Sequence, residues 1–413
     1  MEGRQLFSQH FNDKEGIVIR KIVIKSEAGF TMVELIITMV VFVFVIAAAS
    51  SVFTGLLTQF KQQSRIAETN VEGIVGLEIM RKDIEHAGFG LPWFFPPSPP
   101  ISYTEPSDFP ASNYNDAPAN VPRPILSGNN VDYAGTNAYD GSDYLVIKGT
   151  NLAQNTASEK WTTIMAAPFV TSQPCNPCNP VQWDSASENL TDTDRVIVLR
   201  PGTNDANAKT LIVDASGNFY TQFVNVTSSP WPPLDNTETR VIYGLTTSGT
   251  PVRPFNRADY FINRPSTGMP SRCAPKTGIL YKAIFDANGT SSALPLLDCV
   301  ADMQVVYALD NDEDGFFADG VGTPPDAYTD DLSALTVEQI RKRVKEVRVY
   351  ILAHEGQRDP NFTYPASTID VPASPDPGHT LGRTFDLTTI DAADYVHYRW
   401  KVYTLVVRPI DLR

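Results

Sequence analysis

The stretch Gly29–Leu57 reads GFTMVELIITMVVFVFVIAAASSVFTGLL, and its reading decides the architecture. From Leu35 to Leu57 no residue is ionisable and none is proline. At about 1.5 Å per residue, a helix of that length covers the roughly 30 Å hydrocarbon core of a bilayer. Val, Ile and Phe are modest helix formers in water. In lipid, every backbone polar group must be satisfied within the segment, which forces a helix. One carboxylate, Glu34, stands at the start of the run. A charge at that depth is costly and points to a functional residue, the alternative being that Glu34 sits at the headgroup level and matters little. Arg20, Lys21 and Lys25 precede the run, which predicts a cytoplasmic N-terminus and an extracytoplasmic remainder. A secretory signal core would be shorter, and here only Ser50 and Ser51 offer a weak small-residue cut site.

Working outward, residues 58–88 continue the helix into water. Ile66, Ile74, Val75, Leu77, Met80 and Ile84 form a stripe near helical spacing, read as packing against a head domain. Gly73 and Gly76 weaken it in mid-helix. Gly88, Gly90 and Pro92 supply a stop signal. Residues 91–128 are too rich in proline for regular helix or central strand. With Trp93, Phe94 and Phe95 at its start, the stretch is expected to lie across the head, an exposed adhesive loop being the alternative. Short strand candidates follow at Asp143–Lys148, Arg195–Leu199, Thr210–Val213, Asn218–Val226, Arg240–Leu245, Asp259–Asn263, Gly278–Ile284 and Met303–Leu309. Thr336–Val344 reads as a helix. Lys345–Ala353 and Tyr398–Val407 read as two strong strands, the last one central with charged ends. The fold class is therefore α+β: a long N-terminal helix carrying a large β-rich head over residues 89–413.

Composition agrees. The chain has 413 residues, 42% hydrophobic content and a net charge of −14, which excludes nucleic-acid binding through a basic surface. The 32 prolines, with abundant Asn, Asp, Ser and Thr, suit a loop-rich β domain outside the cytoplasm. No P-loop and no G-x-S-x-G occurs, and none of the five histidines (His10, His86, His354, His379, His397) sits in a nucleophile or metal motif. A non-enzymatic chain is expected.

Two groups of residues carry chemistry. Asp310-Asn311-Asp312-Glu313-Asp314-Gly315 has the D-x-D-x-D-G spacing that converges alternating carboxylates on a calcium ion. The twelfth position is Val321 rather than a bidentate Glu, and Asp319 is the candidate substitute ligand. The simpler alternative is an acidic turn between strands. Cys175, Cys178, Cys273 and Cys299 make an even number, consistent with two disulfides in an oxidising compartment. Of the three pairings, Cys175–Cys178 with Cys273–Cys299 is the simplest; a four-Cys zinc site is the weaker option.

The residues Ala28-Gly-Phe-Thr-Met-Val-Glu-Leu-Ile36 resemble the cleavage and methylation site of type IV prepilins and pseudopilins. The resemblance implies a leader, residues 1–29, cut after Gly29 by a prepilin peptidase, and N-methylation of the new terminus, Phe30. It implies an assembly helix over residues 30–88 in which Glu34 neutralises the amine of a neighbouring subunit. The leader is longer than many. Leu280-Tyr281-Lys282, the run LLDCVADMQVVYALDNDEDG (296–315), the VRVYILA strand and the closing YTLVVR strand resemble PilW-type minor pilins, relatives of the J-type pseudopilin of type II secretion. What this implies is a minor pilin that primes type IV pilus assembly or sits in the tip complex. A type II secretion pseudopilin and a tip adhesin are the alternatives. The implied partners are the peptidase, other minor and major pilins, the inner-membrane assembly platform and, before assembly, membrane lipid.

Overall fold

The apolar run and the segment after it form one helix, α1 (Met32–Glu85), in the computed structural model of the chain. The structure describes residues 31–132, 141–165, 178–202, 208–235, 237–317 and 325–412. Gly29, Phe30, Cys175 and Asp319 lie outside them. The chain divides into two compact units, one ending at Phe60 and one running from Lys61 to Arg413.

In the second unit, the Lys61–Glu85 part of α1 is seated by a narrow apolar face. Leu77, Met80, Ile84 and the following Ala87 are buried in the main core. Ile74 and Val75, expected in that stripe, are 65% and 58% exposed. The glycines that looked like weak points explain why. A Cβ on Gly76 would lie 2.1 Å from the Leu296 carbonyl oxygen, and one on Gly73 would lie 3.2 Å from Leu297 Cδ1. Glycine lets helix and sheet backbones approach where any side chain would hold them apart. Asp83 locks the seat: its Oδ2 lies 2.5 Å from Lys282 Nζ and accepts the Tyr260 hydroxyl, also at 2.5 Å. The helix ends where predicted, with Gly88 and Gly90 at positive φ.

Among the described residues fifteen strands follow: β1 (Ile125–Val131), β2 (Ser142–Gly149), β3 (Trp161–Met165), β4 (Arg195–Arg200), β5 (Thr210–Leu211), β6 (Thr221–Gln222), β7 (Thr239–Thr246), β8 (Asn256–Asn263), β9 (Gly278–Phe285), β10 (Ser291–Leu309), β11 (Ala327–Thr329), β12 (Val344–Glu355), β13 (Thr368–Val371), β14 (Arg383–Asp386) and β15 (Arg399–Val407). Helix α2 (Val337–Arg343) precedes β12 and opens with a Thr336–Gln339 capping box. The main sheet is antiparallel with order β1-β2-β8-β9-β10-β12-β15, β11 pairing beside β10. One face packs on α1. The opposite face, around Val306, Tyr350 and Leu352, is covered by the β13–β14 hairpin with Phe385 and Leu387. The second sheet, β3-β7-β4-β5 with β6 beside β4, is buried on both faces by β4: Val196 and Val198 point into one cluster, Ile197 and Leu199 into another.

Three expectations need correction. β15 is the edge of the main sheet, not a central strand. Both of its faces are partly covered, Trp400 in one cluster and Leu405 and Val407 in the other, so its apolar composition did not distinguish an edge from a central strand. Asn218–Val226 is only the short β6 followed by a 3-10 turn at Phe223–Asn225. β10 runs twelve residues upstream of the expected start at Met303, because bulges around Pro295–Leu297 and Leu297–Val300 carry it past a proline that reads as a break.

The proline-rich stretch lies across the head, burying Leu91, Ile101, Tyr103 and Ala111. Buried charges pin it. Lys148 of β2 pairs with Glu105 at 2.8 Å and Asp116 at 2.7 Å; Arg257 of β8 pairs with Glu105 at 3.0 Å and Asp259 at 2.6 Å. Arg123 meets Asp116 at 2.6 Å, and Tyr144 donates to Asp259 at 2.5 Å. Three cations face three carboxylates. Burial alone would raise the Glu105 carboxyl, but Lys148 and Arg257 hold it below the usual range.

Cys273 and Cys299 are bridged, tying the loop before β9 to β10. Closing that loop stabilises the fold by about 3 kcal/mol through the unfolded state. Cys178 is disulfide-bonded as well.

Candidate functional site

The first unit is described from Thr31 to Phe60, and its surface is predominantly apolar. Met32 to Leu57 has no buried residue, and Leu57, the most covered of its large apolar side chains, is still 42% exposed. By length and composition α1 is able to cross a membrane. Its few polar side chains are turned onto the helix itself. Thr38 donates to the Leu35 carbonyl at 2.9 Å, Ser51 to Ala48 at 2.8 Å, Thr54 to Ser50 and Ser51 at 3.0 Å, and Thr58 to Thr54 at 2.9 Å. These hydroxyl protons are thereby satisfied without water, as a surface facing lipid or packed helices requires.

Glu34 is satisfied in the same way. Its Oε2 accepts from the Thr31 amide at 3.1 Å and the Thr31 hydroxyl at 3.2 Å. The Glu34 amide donates to Thr31 Oγ1 at 3.3 Å. This is a capping box, T-x-x-E, at the N-terminus of α1. Thr31-Met-Val-Glu34 carries that signature in plain sequence. The reading of Glu34 as a partner for another subunit's amine passed over it. The carboxylate thus has a local role, satisfying an orphan helix amide, in addition to the one expected between chains.

The acidic turn leaves the end of β10. Asp310, Asp312 and Asp314 each bring one ligand oxygen within 4.8 Å of the others. Asp310 is buried, while Asp314 is exposed. Asp310 Oδ2 receives Lys345 Nζ at 2.8 Å and the Gly315 amide at 2.9 Å. Burial works against ionisation here, yet these two donors hold the Asp310 carboxyl below its ordinary range. Asp312 is pushed up by desolvation and by the neighbouring carboxylates of Asp310, Asp314 and Asp326. Lys345, two residues into β12, is a partner the linear motif did not reveal. Nearby, Trp93 is covered by the Arg341 guanidinium at 3.9 Å from the ring centre and by Lys209 at 4.4 Å. That anchors the first aromatic of the proline-rich stretch.

The structure therefore brings Asp310, Asp312 and Asp314 together and joins Cys273 to Cys299. It places Glu34 on its own helix cap. Gly29, Phe30, Cys175 and Asp319 fall outside the described residues.

Comparison with protein families bears on both ends of the chain. Residues 24–50 match the prokaryotic N-terminal methylation motif, and residues 259–409 match the type IV pilus-assembly protein W family. The two matches support a prepilin-type N-terminus and a PilW-like C-terminal region. Both families are structural components of pilus assembly, and the two matches fit a minor pilin. The methylation-motif match brackets Gly29, Phe30 and Glu34, and the PilW match runs from β8 to the end of β15, taking in the acidic turn and the Cys299 bridge. Residues 51–258, which hold the proline-rich strap and the second sheet, fall under neither match. No curated protein and no solved structure matches the chain. The motif and the apolar helix place a membrane anchor at the N-terminus, and the family implies peptidase processing and contact with other pilus components.

Proposed function

We propose that this minor pilin acts in low copy, starting the fibre or forming part of its tip, after cleavage behind Gly29 and methylation of Phe30. The observation that carries the proposal is the Thr31–Phe60 helix. Its large apolar side chains are presented outward, while its threonine hydroxyls, Ser51 and Glu34 are satisfied internally. Such a surface needs a hydrophobic cover, and lipid and a core of neighbouring helices are interchangeable covers. The basic residues ahead of it keep the N-terminus cytoplasmic in the precursor, and the disulfides suit a periplasmic head. The low-copy role follows from the head, which runs from Lys61 to Arg413 and would obstruct regular packing of many adjacent copies. The chain acts without catalysis, its partners being the peptidase, the assembly platform and other pilins.

Deletion separates the roles. A starter subunit takes all fibres with it when lost; an adhesin leaves fibres that no longer attach; a secretion pseudopilin leaves fibres intact and stops secretion. N-terminal sequencing of chain recovered from sheared fibres is expected to begin at methylated Phe30. Recovery of residues 1–29 on that material would overturn the processing step. Glu34 is tested by two substitutions. Glu34→Gln keeps a capping-box acceptor without the charge, and Glu34→Ala removes both. If the charge pairs with a neighbouring amine, both variants are cleaved normally and both fail to enter fibres. Normal incorporation of Glu34→Gln would reduce Glu34 to a helix cap.

A further inference from the structure

We propose that Asp310, Asp312 and Asp314 hold a calcium ion that clamps the end of β10 to the start of β12. Two independent observations converge on it. The first is the arrangement: three carboxylates, from alternate positions of one turn, bring ligand oxygens within 4.8 Å of one another. The second is a buried atom without a partner. Asp310 is fully buried, its Oδ2 is committed to Lys345 and Gly315, and its Oδ1 has no hydrogen-bond partner. A buried carboxylate oxygen left unsatisfied is expensive.

Charge selects a divalent ion. Lys345 offsets one of the three carboxylates, and Arg343 is engaged by Glu313 at 2.9 Å. Asp326 adds a further carboxylate at the rim, accepting the Asn311 amide at 3.0 Å. The turn is left with an excess of at least two negative charges. Oxygen-only ligands on a turn, without a preformed octahedron, suit calcium over magnesium. Glu313, at φ +61°, turns the chain between Asp312 and Asp314, and Gly315, at φ +102°, donates its amide back to Asp310 Oδ2. The Asp310 amide donates to the Arg343 carbonyl at 2.8 Å, so a cation on this turn also braces the end of α2. With three carboxylates from one turn, affinity should be that of extracellular calcium modules, about 0.1–1 mM.

The test uses the full-length chain in detergent micelles, stripped with chelator, with calcium and magnesium chlorides as probes. Adding about 5 mM calcium should raise the unfolding midpoint by about 3 °C, and magnesium by much less. Calorimetric titration should give one site. Asp312→Asn should abolish the response. Because Asp312 sits on the solvent side of the turn, this variant should fold, and its metal-free midpoint should match or exceed that of the parent. No rise with calcium, an equal rise with magnesium, or a rise that survives in Asp312→Asn would each overturn the assignment. None of these outcomes depends on the pilus role.

Discussion

Two of the head's clusters of buried or half-buried charge are solved in opposite ways. Under the proline-rich strap, Lys148, Arg257 and Arg123 face Glu105, Asp116 and Asp259, so every charge has a counter-charge at hydrogen-bond distance. At the end of β10, three carboxylates share one lysine, and a buried oxygen of Asp310 has nothing to accept. The first cluster is neutral and closed, and it does structural work: it holds an irregular segment that makes few backbone ladder bonds. The second is open and carries excess negative charge, which is the basis of the calcium proposal. The contrast teaches that net charge within a cluster, rather than the number of acidic residues, separates a structural network from a binding site.

The largest test of that contrast is Lys148→Met. Removing one partner from the closed network leaves Glu105 and Asp116 under-compensated in the interior, at an expected cost of about 3–5 kcal/mol. Urea unfolding measures it, and a loss below about 1 kcal/mol would mean the strap is held by its apolar contacts alone. A middle-sized test uses a buried group that avoids charge altogether. His354 packs edge-on to Trp400 and tilted against Tyr398, and its Nε2 accepts the Ala274 amide at 2.8 Å. Burial pushes its imidazole down to about 3. The folded value lies below the unfolded one, so this contribution is complete above pH ~6.5 and is lost as pH falls toward 3, on the order of 3 kcal/mol by pH 4. His354→Gln keeps an acceptor and does not titrate, so the stability slope between pH 6.5 and 4 should flatten. An unchanged slope would place the acid sensitivity elsewhere. The smallest effect has the opposite sign to the first. In chelator, Asp312→Asn removes a like charge from the open cluster and should slightly raise the unfolding midpoint, whereas a clear fall would show that the turn is already balanced.

Much of this was legible in the linear chain. Gly29–Leu57 announces a helix for lipid or a fibre core, because an uninterrupted apolar run leaves the backbone no other way to satisfy itself. Strands such as β2, β4, β7 and β12 were readable because their β-branched and aromatic runs are bounded by turn residues. The D-x-D-x-D-G spacing located the three clustered carboxylates, and the helix stop at Gly88 and Gly90 was in place. What resisted reading depended on contacts distant in sequence. Gly73 and Gly76 look like flaws in a helix until Leu296 and Leu297 are seen against them. Ile74 and Val75 look like core until the seat proves narrower than the stripe. The apolar strand β15 looks central until only β12 pairs with it.

The sequence by itself determined the membrane-length helix, the α+β class, the prepilin-type junction and the acidic turn. Each is encoded by neighbours along the chain, through hydropathy, spacing or local turn chemistry. Only the tertiary structure decided that the proline-rich segment is strapped down rather than loose, that Cys273 meets Cys299, and that one oxygen of Asp310 is left without a donor. Those outcomes depend on Lys148 meeting Asp116, Arg257 meeting Glu105 and Lys345 meeting Asp310. Pairings between distant strands set such contacts, and no local pattern specifies them.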